Sequence, residues 1–307
     1  MAINDTILAT KYNDIRNKIN GVLGTGSGAS GYGQAVGTTA VKGPSAGTSP
    51  ADLITDTQWD ELRLDIIKCH KHQNGADPTI TDVADAALIY WAHAEQYDLL
   101  ADGIVTNKDL IYTGATGSGY TAQRQTITGS TTTLSSGWGV NSSSQRYGQQ
   151  IYNVTFASAD AARYFFNTGG SLVMTFSRSG TATNTKSTDW QQIVDNMSSN
   201  ALVFSAANYR AGLAGTTTEW TYTKYGSSPY AENYGFSRFR YINATTIEVL
   251  NQMVDADTGD QTGVGPPVDE SVSIDITAGL NYRKSIDQVT VESYLPSYTP
   301  AAWTLNA

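Results

Sequence analysis

Hydrophobic positions change their period once along this chain, near residue 110. Upstream they recur at helical spacing. Tyr12, Ile15 and Ile19 form one set and Trp59, Leu62 and Ile66 another, inside matching stretches, TKYNDIR from Thr10 and TQWDELR from Thr57, offset by 47 residues. Each stretch predicts a short amphipathic helix, capped by Thr10 or Thr57, with acidic residues in the first turn where the helix dipole favours them. Gly21 or Gly24 should end the first helix and Gly75 the second, because glycine takes the left-handed conformation that terminates helices. A longer helix is expected over 82–101, capped by Thr81 and stopped by Gly103. Val83, Ala87, Tyr90, Ala94 and Tyr97 make one stripe along it, and Leu88, Trp91 and Leu99 a second. Apolar residues on two faces imply more than one neighbour, so Tyr90, Trp91 and Tyr97 are candidate oligomerisation residues.

Beyond residue 110 the period falls to two. Val272, Ile274 and Ile276 alternate with Ser273, Asp275 and Thr277, as a strand buried on one face requires. Segments 151–156, 172–176, 202–205, 220–225, 236–242, 246–254, 272–277 and 289–295 read as strands. Two short helices interrupt them: 159–167, capped by Ser158 and stopped at Gly169 and Gly170, and 189–197, capped by Thr188, with Trp190, Ile193, Val194 and Met197 on one face. The expected fold is α+β. N-terminal helices and an extended Gly-rich arm (1–112, with a Gly/Ser-rich linker at 24–50) precede a mostly antiparallel β-sandwich or jelly-roll-like domain over 113–307.

Charge and composition narrow the function. The 307 residues carry 28 acidic and 19 basic side chains, a net charge of -9, with no long Lys/Arg run. Nucleic-acid binding needs cationic contacts to phosphate and is disfavoured. No basic segment followed by an apolar run opens the chain, and no stretch approaches the apolar length of a membrane span, so neither a secretory signal nor a span is expected. The second part is rich in Gly, Ser, Thr, Asn and Tyr, the look of an exposed all-β protein. That look without an export signal suits particle components assembled in a cytoplasm and released by lysis.

Candidate chemistry is sparse. The stretch KCHKHQNG, from Lys68, holds the only cysteine, Cys69, with His70 and His72. Cys69 and His72 share a helix face and His93 lies on the next helix, so a zinc site is one reading. The other is a basic closing turn beside the carbonyl end of a helix. Gly26, Gly28 and Gly31 match G-x-G-x-x-G but follow a helix, where a dinucleotide site needs a strand. Residues 255–260 resemble a calcium loop with its fifth and sixth positions exchanged, and an acidic turn explains them as well. No G-x-S-x-G elbow occurs and no acidic pair stands out among the carboxylates. The reading is therefore of a non-enzyme with no catalytic, cofactor or metal residues assigned. Tyr225, Tyr230, Tyr234 and Phe236 cluster in an expected loop, as rings for a subunit interface or for a glycan, the interface being the more general use.

Three segments resemble a known class: VLGTGSGASGYGQ, from Val22, TDTQWDELRLDI with the later KHQNG, and VTFASADAARYFFNTGGSLVMTFSRSG, from Val154. They look like virion structural proteins of tailed phages, in particular T4-like myophages of marine bacteria and cyanobacteria. The likeness covers most of 7–75 and 147–206 and is clearest at 157–170. It implies a structural tail, neck, fibre or baseplate role in the virion, without catalytic residues. The expected partners are copies of the chain itself, as a trimer, other phage neck, tail or baseplate proteins, and alternatively a host surface glycan or receptor.

Overall fold

A computed structural model describes residues 9–41, 54–83, 88–112, 124–127, 131–134, 146–179, 185–228, 230–256, 274–283, 289, 294–298 and 304–306. Both echoed stretches are helices, α1 (Ala9–Val22) and α2 (Asp56–Asn74). Their apolar stripes meet: Tyr12, Ile15, Ile19, Trp59, Leu62 and Ile66 are all buried in one cluster. The caps differ from expectation. Thr10 lies inside α1, which ends at Val22. Thr55, not Thr57, caps α2, because Thr55 and Gln58 form a reciprocal capping box, Gln58 N donating to Thr55 Oγ1 (3.2 Å) and Thr55 N to Gln58 Oε1 (3.0 Å). Gly75 closes the helix at φ 78°, as its position predicts.

The third helix, α3 (Trp91–Thr106), is shifted from the expected 82–101. Thr81 is not its cap. The segment around Thr81 runs beside α3, with Thr81 N donating to Gln96 Oε1 (3.0 Å) and Tyr97 OH to Thr81 O (2.8 Å). His93 Nδ1 instead accepts from Tyr90 N (3.2 Å) at the helix start. Gly103 sits inside the helix, where glycine costs only about 1 kcal/mol against alanine. Ala94, Tyr97, Ala101 and Ile104 face the core, and Tyr97 stacks on Trp59 with ring centroids 4.4 Å apart.

The arm over 24–41 has neither helix nor strand, yet it is strapped down. Asp65 Oδ2 accepts from Gly37 N (2.9 Å), and Asn13 pairs with both backbone groups of Val41 (2.6 and 3.0 Å). Tyr32, Thr38 and Val41 are buried. These side chains satisfy backbone groups that no ladder reaches.

The chain divides into two units. The first is Met1–Gln123 with Arg163–Gly170 and Lys284–Tyr294; the second is Arg124–Ala162 with Ser171–Arg283 and Leu295–Ala307. The protein is α+β, and among the described residues every strand pairing is antiparallel. In chain order the second unit's elements are β1 (Arg124–Ile127), β2 (Thr131–Leu134), β3 (Arg146–Thr155), α4 (Ala159–Asn167, which continues into the first unit), β4 (Ser171–Ser179), α5 (Thr185–Ser199), β5 (Val203–Phe204) and α6 (Ala206–Leu213). They continue with β6 (Glu219–Tyr225), β7 (Tyr234–Asn243), β8 (Thr246–Asp255), β9 (Ile274–Arg283), β10 (Ser297–Tyr298) and β11 (Thr304–Asn306). One sheet has the order β1-β9-β4-β5 with β2 also on β9; the other runs β10-β3-β8-β7-β6 with β11 also on β3.

Ser158 caps α4 as expected, its Oγ accepting from Ala161 N (3.0 Å). Helix α5 starts at Thr185, so Thr188 is internal rather than its cap. Trp190, Ile193, Val194 and Met197 are fully buried, and α5 touches β4 and β9 of one sheet and β6 and β7 of the other. Gly235 permits that approach, since a Cβ there would lie 2.2 Å from Met197 Sδ. Across the buried face of β3, β8 and β7, Gln150, Asn251 and Ser237 stand in register and bond in a row, Asn251 Nδ2 to Gln150 Oε1 (3.3 Å) and Ser237 Oγ to Asn251 Oδ1 (3.4 Å). The strand expected over 289–295 falls mostly outside the described residues; Val289, Tyr294 and Leu295 are not in a strand.

Candidate functional site

KCHKHQNG is divided among separate structural contacts. Cys69 is wholly buried, and burial pushes its thiol far above the ordinary range. His72 is buried against Tyr32, ring centroids 5.0 Å apart, and desolvation lowers its pKa to about 4. His70 Nδ1 lies 2.8 Å from Ala76 O, and His93 caps α3. Among the described residues no group of three His, Cys, Asp or Glu is placed to hold a metal ion. The stretch matters through Gln73, which sequence reasoning passed over. Its Nε2 donates to Tyr32 OH (3.1 Å) and Ile104 O (3.0 Å), tying arm, α2 and α3 together.

The Gly26, Gly28 and Gly31 motif folds as a turn against the end of α1, Tyr32 N donating to Val22 O (2.8 Å) and Gly33 N to Gly24 O (2.9 Å). Its outward carbonyls are gripped from far along the chain. Arg163 Nη1 donates to Thr25 O (2.9 Å) and to Ser30 O, and Asn167 Nδ2 to Ala29 O (2.9 Å) and Gly31 O (3.0 Å). Gly33, at φ 68°, is required here, since a Cβ would meet the Tyr164 ring at 2.4 Å.

Of the expected oligomerisation residues, Tyr97 is spent inside the chain's own core on Trp59, so it is corrected to a packing residue. Trp91 Nε1 donates to Glu95 Oε1 (2.7 Å) and Lys11 Nζ lies over its ring at 5.9 Å, while Tyr90 is partly exposed. The exposed apolar residues of this region are Leu88, Leu99, Val105 and Leu110, with Leu99 75 % exposed. A hollow of about 540 Å³ lined mostly by α1 and α3 residues contains Lys11, Lys18 and Asp98, but Asp98 pairs with both lysines and Asp102 pairs with Lys18 as well.

The aromatic cluster is split by the sheet. Tyr225 pairs with Tyr234 and Thr223 with Phe236, so strand alternation puts all four on one face, the face away from α5. With Ala231, Glu232 and Ala256 they line a cleft of about 620 Å³. Tyr225 is 56 % exposed, its ring 5.4 Å from that of Tyr234, whose hydroxyl is raised in pKa by burial and by Tyr225. Tyr230 is buried and does not line the cleft, which removes it as a contact residue. Farther along this face Arg238 and Arg240 converge on Glu248 (2.8 and 2.6 Å). Positions 257–260 of the proposed calcium loop lie outside the described residues, and Asp255 is engaged by Lys186.

Searches against family models, curated proteins and solved structures each returned no match to this chain.

Proposed function

We propose that this chain is a non-enzymatic structural subunit of a tailed-phage virion, a homo-oligomer in the tail, neck, fibre or baseplate, with a trimer as the favoured state. The observation that carries the reading is the grip of Arg163 and Asn167 on residues 25–31. The two segments most distinctive in the sequence are spent on holding each other, with their polar groups paired internally. A second copy would cover exposed Leu99 and Val105 of α3 and Leu110 beyond its end. In this reading the second unit is a sandwich-like β domain with α5 inserted against both sheets. Mass spectrometry of gradient-purified particles from the encoding phage tests the proposal. The chain is expected among the particle proteins, and its confinement to the soluble fraction of lysed cells would overturn the assignment.

The cleft supports a second reading, a carbohydrate- or receptor-binding module of the same particle. Tyr225 and Tyr234 offer ring faces at the surface, and Glu232 an acceptor for sugar hydroxyls. A host-cell adsorption assay with the full chain separates the readings: adsorption lost on Tyr225→Ala supports recognition, and no adsorption removes it.

A further inference from the structure

The buried core of the second unit holds an amine and two carboxyls. Lys186, in the first turn of α5, has its Nζ 2.8 Å from Asp255 Oδ2 at the end of β8, with side-chain exposures of 0 % and 4 %. Asp189 is three residues on, on the same helix face, and is 5 % exposed. Its Oδ1 accepts from Ser227 N (2.7 Å), while its Oδ2 is buried without a partner. The backbone links this carboxyl to the pair. Gly226 packs so closely that a Cβ there would be 2.2 Å from Asp189 Oδ2. Gly226 N bonds Asn233 O (2.8 Å), and Asn233 Oδ1 accepts from Ala256 N (2.9 Å), next to Asp255.

Two ions in such a place carry a large desolvation cost. A proton passed from the amine to the carboxyl across this 2.8 Å contact leaves a neutral amine and a neutral acid, the forms that burial penalises least. Those are the reactants of amide formation, held at contact distance, where positioning replaces the entropy of encounter. An amide would also remove both charges from the core.

We propose that Lys186 and Asp255 become joined by an intramolecular isopeptide bond that the folded chain forms by itself, with Asp189 as proton relay. The Lys186 amine nitrogen attacks Cγ of the protonated Asp255 carboxyl. The N–C bond forms, one C–O bond breaks, and that oxygen leaves as water. Asp189 gives a proton to the departing oxygen and takes one from the nitrogen, so it ends as it began. One amide and one water are produced, without oxidant, reductant or metal. Burial raises the Asp189 carboxyl above its ordinary range, against the lowering effect of Ser227, which favours the protonated form the relay needs. The bond would tie α5 to β8 and close a covalent loop around β5, α6, β6 and β7, restricting the unfolded chain as any long cross-link does.

Intact-mass measurement of the denatured full chain decides the matter. The expected mass is one water below that of the sequence, with a branched peptide joining Lys186 and Asp255 after digestion; a chain at full sequence mass overturns the bond. Asp255→Ala should restore the missing water. Because that variant removes a buried partner, Asp189→Asn is measured beside it, with circular dichroism to confirm folding. A folded Asp189→Asn chain at full sequence mass supports the relay, and one still lacking a water overturns it.

Discussion

The helical unit and the sheet unit bury their polar groups by opposite means. In the first, the irregular arm has its backbone groups met one at a time, by Asp65, Asn13, Arg163 and Asn167. In the second, strand ladders meet the backbone groups in bulk, and even buried side chains fall into a ladder, Gln150, Asn251 and Ser237. One unit therefore depends on particular side chains, the other on register. The outward surfaces differ less. Both units expose aliphatic side chains, Leu99 and Leu110 in the helical one and Ile151, Val203 and Ile242 in the sheet one, and the sheet unit adds an exposed aromatic ring, Tyr225, on the face that carries the Arg238–Glu248 pair.

The largest test of this contrast is Trp59→Ala, which removes the ring shared by α1, α2 and α3 and should cost about 3–5 kcal/mol. Hydrogen exchange should show protection lost in the three helices and the arm, and kept in β3, β7 and β8. Equal loss in both units would break the distinction.

Acid should separate the units next. His72 is neutral when folded, with a pKa of about 4 against 6.5 unfolded. Between those values the unfolded chain binds the extra proton, so stability is full above pH 6.5 and falls as pH drops toward 4, by roughly 3 kcal/mol in total. Asp189 has the opposite sign. Its raised pKa means that the folded state holds the proton, so its contribution is full below the ordinary carboxylate pKa and is lost as pH rises through the folded value. Denaturant titrations across this range should show the acid loss in wild type and a flatter profile in His72→Gln.

Single hydrogen-bond deletions sharpen the comparison further. Arg163→Ala should cost about 2–3 kcal/mol, since a charged donor leaves two carbonyls, and exchange should accelerate locally over 24–33. Asn251→Ala should cost about 1–2 kcal/mol and act across three strands, because the ladder is shared. The smallest effect is expected for Tyr225→Ala, within about 0.5 kcal/mol of wild type by urea unfolding.

What was legible in the sequence was local. The stripes 12, 15, 19 and 59, 62, 66, the Ser158 cap and the Gly75 stop depend on residues within two turns of each other. The start of α3 was not legible, because Gln96 and Tyr97 reach back to occupy Thr81. The short helix α6 had a readable signal in the Ser205-x-x-Asn208 cap, with Ser205 N donating to Asn208 Oδ1 (2.8 Å). The Arg163 clamp joins segments too far apart for any spacing rule. Likewise, Tyr225 and Tyr230 part company through the β6–β7 register and the loop between those strands, which composition does not encode. The histidines look like chemistry as a string and are three separate structural contacts in space.

Static light scattering on the purified full chain tests the proposed assembly through the helical unit. Three chain masses are expected for wild type and one chain mass for a folded Leu99→Asp variant, whose carboxylate would be buried unpaired at a subunit contact. Wild-type protein that stays at one chain mass at high concentration would contradict it.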